Sequence, residues 1–442
     1  MATRSIGIGL SASLLVMLGS AVSAQSPIEG VLQSEAQTPP QRAMGELIED
    51  ICPLGVVGVD LQARCDEVVV AVLQSGDVNG AREGLQAMAN EEGAVIATTE
   101  VDASNVQMDT INSRLGNGGG GSGVTLEFNG DQWLYGAPTG LAAGDTGATG
   151  LSVFVNISYG TGDRDTTPRE TGFDLDSWGV TGGLEYSLSD QALVGVAAGY
   201  TNIDSDLDAN SGSLSSDNYS FLGYVGYYPS DNTYLNAILG YSATDHDQKR
   251  TVAYSITSLF GPTVVNQVAL SDTESDEFLI SVSGGYDFYR DSWSFGPYGR
   301  FDHADTNIDG YRERMSNPTA AGSGLALAVA DQDVTSNTLA IGGQAMRSIQ
   351  TSWGYIYPQI NLEWVHEFDN DAEDTVAIFV DDPTATRLFL ATDPPDRDYG
   401  NVGVGAIATF GRGHSVFARY QGLLGYSDLD LHVFEVGIKF AL

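Results

Sequence analysis

From residue 149 onward, this 442-residue chain is a succession of period-two segments, each offering one apolar face and one polar face. Twelve such runs read as strands, near 149–162, 172–188, 191–206, 214–229, 231–246, 273–290, 292–306, 333–349, 352–369, 398–411, 413–426 and 429–442. In "WGYIYPQINLEWVHEFD", Ile356, Ile360, Leu362, Trp364 and Phe368 share one side, with Gln359, Asn361, Glu363, Glu367 and Asp369 on the other. In "SWSFGPYGRFDH", Trp293, Phe295 and Phe301 oppose Ser294, Tyr298, Arg300 and Asp302. The closing "LHVFEVGIKFAL" sets Phe434, Val436, Ile438, Phe440 and Leu442 against Val433, Glu435, Gly437 and Lys439. A dry sandwich core would bury one of these faces, and unpaired carboxylates or guanidinium groups there cost several kcal/mol each. A barrel with lipid outside and a wet lumen accepts both faces.

The connections agree. Tight turns ("SLSDQ", "PSDN", "YRDS", "SIQTS", "GRGH") follow the even strands, and the long polar stretches 247–272, 307–332 and 370–397 follow odd ones. Short turns at one end, long loops at the other and an even strand count describe an outer-membrane barrel. The expected fold is an all-β transmembrane barrel of 12 antiparallel strands, preceded by a small α-helical segment.

The first residues set the compartment. "MATRSIGIGLSASLLVMLGSAVSAQS" has Arg4, an apolar run from Ile6 to Leu18 and small residues at Val22 and Ala24. That is a cleaved secretory signal over residues 1–24, with the mature chain starting near Gln25. No later stretch has the length of a membrane-spanning helix. The net charge of −39, from 58 acidic and 19 basic residues, excludes the counterion-displacing electrostatics of a nucleic-acid binder. The acidic runs "NIDSDLDAN", "HEFDNDAED" and "ATDPPDRDYG" read as solvated loops.

Between Thr38 and Leu115 the period is helical. Thr38 is an N-cap before two prolines, and further helices open at Asp60 and Asp77. The next segment, "TEVDASNVQMDTINSRL", is a mostly polar helix with a thin apolar stripe at Val106, Ile111 and Leu115, and it ends in the flexible "GNGGGGSG". Residues 38–99 hold too few large apolar side chains for a sizeable core. The two cysteines, Cys52 and Cys65, read as a structural disulfide in an oxidising compartment. Closing so short a loop stabilises by about 3 kcal/mol in the chain-entropy model.

Catalytic patterns are missing from the sequence: it has no Gly-x-Ser-x-Gly elbow, no His-Glu-x-x-His and no P-loop. "GVGAIA" at 403–408 lies mid-strand with no helix after it, unlike a dinucleotide fingerprint. The five histidines (His246, His303, His366, His414 and His432) lack ligand spacing. Asp204, Asp206, Asp208 and Asn210 alternate like the start of a calcium loop, but Ala209 stands where the turn needs Gly. No metal, cofactor or enzymatic activity is expected.

The segment 149–442 resembles the autotransporter β-barrel domain of type V secretion in "WGVTGGLEYSLSDQALVGVAAGYT", "PQINLEWVHEFDND" and "NVGVGAIATFGRGHSVFARYQGLLG". "EVGIKFAL" is similar to the outer-membrane assembly signal at Gly437, Phe440 and Leu442, though it ends in Leu rather than Phe, and Gln421 stands where the family often has an acidic residue. "QMDTINSRLGNGGGG" resembles the linker helix that occupies the pore in that family. The resemblance implies a signal peptide (1–24), a short helical passenger-like region (25–99), a linker helix and Gly-rich linker (100–148) and the barrel (149–442). It also implies an outer-membrane location in a Gram-negative cell, contact with lipid, and insertion by the barrel assembly machinery with periplasmic chaperones. A monomeric barrel is expected, with Arg300, Glu363 and Arg419 lining the pore, either against the helix around Gln107–Arg114 or paired only with one another. Export of the helical segment to the surface is the leading reading. A channel or structural barrel with periplasmic helices and a surface enzyme remain as alternatives.

The last strand is expected to control assembly, because carboxylates at its lipid-facing end cost about 2–4 kcal/mol at depth. Combining Phe440→Asp with Leu442→Asp should abolish the heat-modifiable barrel in membrane fractions, and normal barrel levels would contradict this.

Overall fold

The computed structural model describes residues 28, 30–89, 96, 111, 112, 115, 126–129, 132–135, 150–189, 191–258, 261–369, 374–410 and 414–442. The expected signal sequence, most of the expected linker helix and the Gly-rich stretch lie outside the described residues.

Twelve long strands form the wall: β1 (Leu151–Arg164), β2 (Phe173–Ser189), β3 (Ala192–Leu207), β4 (Gly212–Ser230), β5 (Thr233–Ser258), β6 (Gly261–Tyr286), β7 (Trp293–Ile308), β8 (Gln332–Arg347), β9 (Gly354–Glu367), β10 (Asp398–Phe410), β11 (His414–Leu424) and β12 (Leu429–Ala441). Each pairs antiparallel with the next, and β12 returns to β1 from Leu429↔Arg164 to Ala441↔Ser152, so the sheet closes. The expected 12-strand barrel is the observed one.

Alternation places the apolar side chains outside. Ile360, Leu362 and Trp364 on β9 are exposed, as are Phe434, Val436, Ile438 and Phe440 on β12, whereas Glu363, Glu435 and Lys439 are buried on the inner face. Aromatic rings gather at both ends of the apolar band. Tyr186, Tyr227, Tyr286, Trp293 and Trp353 lie near the short turns, and Tyr159, Trp178, Tyr219, Tyr241 and Trp364 nearer the other end. Register aligns the second group laterally, with Tyr159 opposite both Trp178 and Phe434. These are the interfacial girdles of a transmembrane barrel.

The long connections depart from expectation. Residues 247–272 are not a polar loop, because β5 and β6 run 26 residues each, far beyond the roughly 9–11 that a tilted strand needs to span a bilayer. The alternation continues past the rim with its polarity reversed. Val252, Tyr254, Ile256 and Val265 are buried inward, while Ala253, Ser255 and Thr257 are exposed. Above the membrane the outside is water and the inside is protein, so the same strand inverts its pattern. The stretches expected at 307–332 and 370–397 are likewise not simply solvated loops. They form a four-stranded antiparallel sheet in the order Tyr311–Arg312, Leu327–Val329, Asp374–Phe379, Leu388–Ala391.

Four helices complete this end: α1 (Val31–Glu35), α2 (Pro39–Ile51), α3 (Val59–Val70) and α4 (Val78–Met88). Thr38 caps α2 by accepting from the Gln41 amide at 3.3 Å, and Asp77 caps α4 by accepting from Gly80 at 3.2 Å. α3 begins at Val59 after Gly58, so Asp60 lies inside its first turn rather than at its cap. α1, absent from the sequence reading, is too short to persist alone. The buried Glu49 carboxylate accepts from Gly30 and Leu32 amides at 2.7 and 2.5 Å at its start, and Arg82 donates to the Glu35 carbonyl at 2.6 Å at its end.

Helices and outer connections share one apolar cluster. Leu32, Met44, Ile48, Ile51, Leu61, Val68, Leu85 and Met88 pack with Val252, Tyr254, Ile256, Val265, Leu327, Phe379 and Leu388. The segment that carries too little apolar surface for its own core thus borrows the rest from the hairpins. Cys52 and Cys65 are joined with Cα atoms 5.9 Å apart, tying the end of α2 to α3 within this cluster.

Cys52→Ser should leave the barrel heat-modifiable and speed proteolysis of the helical segment, with a stability loss of about 3 kcal/mol confined to the cap. Loss of the barrel itself would place the helices in the barrel's folding unit.

Candidate functional site

The lumen and the outer cap are the two places where the inner face meets other protein. In the lumen, Ile111, Asn112 and Leu115 are helical and buried. Ile111 and Leu115, one turn apart on a helix face, pack against Phe154, Leu193, Leu222, Tyr228, Tyr234 and Leu279 of the wall. Asn112 donates to Ser281 Oγ at 3.2 Å, and the Tyr228 hydroxyl to the Leu115 carbonyl at 3.4 Å. Tyr228 lies beside the short turn between β4 and β5, whereas Ile96 belongs to the outer apolar cluster. Ile96 thus lies at the outer end and Leu115 toward the short-turn end. Val106, the third position of the expected stripe, lies outside the described residues, as do Gln107 and Arg114.

The three residues expected to line the pore all lie on the inner face, and the structure joins two of them. Arg300 reaches Glu363 at 3.3 Å and Asp302 at 2.7 Å. Glu363, 6% exposed, also accepts from Tyr298 at 2.7 Å and Asn401 at 3.2 Å. Arg419 instead pairs with Glu435 on the neighbouring strand at 3.8 Å and donates to Gln421. Sequence reasoning missed a third pair. Lys439 of β12 meets Glu185 of β2 at 2.8 Å across β1, and Tyr224 donates to the same carboxylate at 3.1 Å. In these three pairs each buried charge is matched, as its desolvation requires.

Other flagged residues find ordinary partners. His246 lies between Ser216 Oγ and Ser275 Oγ at 2.9 and 3.0 Å. Asp204 and Asp206 are on β3 rather than in a loop, with Asp206 opposite Asp174. At the end of β12, Phe440 and Leu442 are exposed and the Leu442 amide donates to Leu151 at 2.9 Å. Gly437 is on the inner face, where a Cβ would run into the Phe417 ring and the Asn156 side chain.

The outer cap is centred on Arg250, 1% exposed, and Glu313, 3% exposed. Two parallel bonds of 2.7 and 2.6 Å join guanidinium to carboxylate, the fork geometry that makes such pairs directional. Arg250 also donates to the Ala87 carbonyl in the last turn of α4 at 2.9 Å and to the Leu325 carbonyl at 3.2 Å. Glu313 in turn accepts from the Leu327 amide at 2.8 Å. Three further bonds cross from helix to connection. Asp60 accepts from the Gly324 amide at 2.9 Å, Gly58 donates to the Asp381 carbonyl at 2.8 Å, and Asp77 accepts from the Thr257 amide at 2.7 Å. A Cβ at Gly324 would come within 2.7 Å of the Leu61 amide nitrogen, so the approach there needs glycine. A signal existed in the sequence: Arg250 shares its strand face with Val252, Tyr254 and Ile256, and an arginine on an apolar face demands a carboxylate.

The family model described as the autotransporter beta-domain matches residues 153–421. The chain belongs to the autotransporter beta-domain family. The translocator domain of the autotransporter NalP from Neisseria meningitidis superposes with a TM-score of 0.53 at 14% identity, over 78% of this chain and 99% of that one. The beta domain of the Bordetella autotransporter BrkA gives a TM-score of 0.44 at 18% identity, over 66% and 99%. An uncharacterized protein of the trpE–trpG intergenic region of Pseudomonas putida is 26% identical over 200 residues, 45% of this chain and 31% of its own length. This chain thus spans about a third of that curated relative. Autotransporter barrels are lipid-embedded outer-membrane proteins of Gram-negative bacteria, and the apolar band between the girdles is the surface that meets the lipid.

At the cap, the amides of Thr257 and Gly80 hold the Asp77 carboxyl below the ordinary aspartate range. A depressed folded-state pKa contributes stability above the unfolded value, near 3.9, and loses it as pH falls through the folded value. Protection of the Thr257 amide against hydrogen exchange should therefore decline on acidification below about pH 4, and Asp77→Asn should flatten that decline. An unchanged pH dependence in Asp77→Asn would assign it to another group.

Proposed function

We propose that this autotransporter barrel passes its own N-terminal helical segment through the lumen and holds it at the cell surface, with residues 25–99 as passenger and 100–148 as linker. The observation that carries this is the placement of Ile111, Asn112 and Leu115 inside the wall, between helices at the long-connection end and a first strand that starts at the short-turn end. An outer-membrane barrel keeps short turns on the periplasmic side and long loops outside. That rule favours a surface cap over the channel with periplasmic helices.

The role is mechanical rather than catalytic. Closure satisfies the backbone in hydrocarbon, the polar wall accommodates a mostly polar helix, and Arg300, Arg419 and Lys439 are each paired with a carboxylate of the wall. Residues 1–24 direct the chain to secretion. The exposed end of β12 with Phe440 and Leu442 is the feature that the barrel assembly machinery and periplasmic chaperones would read, and the closed sheet serves as a monomer.

Glu46 is exposed on α2. In a Glu46→Cys variant, a membrane-impermeant maleimide should label intact cells as fully as permeabilised ones. Labelling only after permeabilisation would place the helices in the periplasm and overturn the proposal.

A further inference from the structure

Resting on that reading, we propose that the outer connections have a second function: they are the template on which the exported segment folds, an intramolecular chaperone built into the barrel rim. Four observations converge on this. The apolar side chains of α1–α4 share one core with barrel-side residues, among them Val252, Tyr254 and Ile256 of the β5–β6 hairpin and Leu327, Phe379 and Leu388 of the small sheet. The hairpin itself is far longer than membrane crossing requires, and beyond Arg250 its inward face carries Val252, Tyr254 and Ile256 against the helices.

The polar contacts are equally shared. The C-terminal turn of α4 receives a bond from Arg250 at Ala87. The Asp77 cap of α4 is fixed by the Thr257 amide, and the first turn of α3 is fixed by Gly324. Barrel-side groups thus hold both ends of α4 and the first turn of α3. Finally, Arg250 and Glu313 form a buried pair that is complete with the hairpin and the 309–331 connection alone. The charge of Arg250 is therefore neutralised before the helices arrive. To this pair the incoming segment adds the Ala87 carbonyl.

A segment that crosses a lumen extended and lacks its own core gains its structure where it first meets apolar surface, which is this rim. The template has a direct consequence for the fate of the passenger: it remains as a lid, because releasing it would expose both halves of one core.

The test uses the full chain in outer membranes, with Val252→Ser, Tyr254→Ser and Ile256→Ser combined, alongside Glu313→Gln, which strands the buried Arg250. Both variants carry Glu46→Cys. Expected are a heat-modifiable barrel, surface labelling equal to the parent, and cleavage of the helical segment by external protease about a hundredfold faster, since proteolysis follows the opened population. Three results would overturn the template. One is a helical segment that stays protease-resistant in both variants, as an independently folded domain would. Another is failure of both variants to assemble a barrel, which would make the rim part of the wall's own folding unit. The third is loss of surface labelling in the variants while the parent still labels, which would make the rim a determinant of passage rather than of folding. Absence of labelling in the parent itself would instead refute the export reading on which the template rests.

Discussion

Pairing of β12 with β1 is the contact on which everything else depends. A spanning sheet in hydrocarbon has no water to satisfy its edge, so an open barrel would leave rows of amides and carbonyls unpaired at several kcal/mol each. The register from Leu429↔Arg164 to Ala441↔Ser152 removes both edges at once. It also brings Lys439 within reach of Glu185 and aligns Phe434 with Tyr159 and Trp178. The lumen charge balance and the outer aromatic girdle are therefore consequences of the same closure.

Closure also divides the molecule into two dielectric regimes, and each inner side chain obeys the regime of its level. Within the membrane the wall's inner face carries paired charges, Arg300 with Glu363 and Arg419 with Glu435, and an apolar patch at Phe154, Leu222 and Leu279 that receives Ile111 and Leu115. Beyond the rim the inner face of β5 and β6 becomes the wall of an apolar core. Arg250 marks the crossover: it is the last charged residue on that inner face of β5 before Val252, Tyr254 and Ile256, and Glu313 neutralises it. The N-terminal helices belong to this second regime. They sit on a four-stranded sheet and a long hairpin rather than forming a separate body, which explains how so short a segment is ordered with one disulfide.

The strand count, the lipid-facing residues, the short-turn end, the caps at Thr38 and Asp77 and the cysteine pair were legible from residue order, because each rests on a local period or a local spacing. Period two assigns Ile360, Leu362 and Trp364 to one face whatever they meet, and a Thr before two prolines caps a helix whatever the helix packs on. The residues 247–272 misled for a physical reason. Polar residues on an outward face above the membrane look like those of a solvated loop, and only knowledge of where the bilayer ends tells the two apart. The sequence alone determined that this chain closes a barrel in an outer membrane. The tertiary structure decided which lumen charges pair, as with Lys439 and Glu185, and that the helices share their core with the barrel's outer connections. Those are contacts between positions far apart in sequence, such as Asp60 with Gly324, 264 residues on, and they are set by strand register and tilt, which no local period encodes.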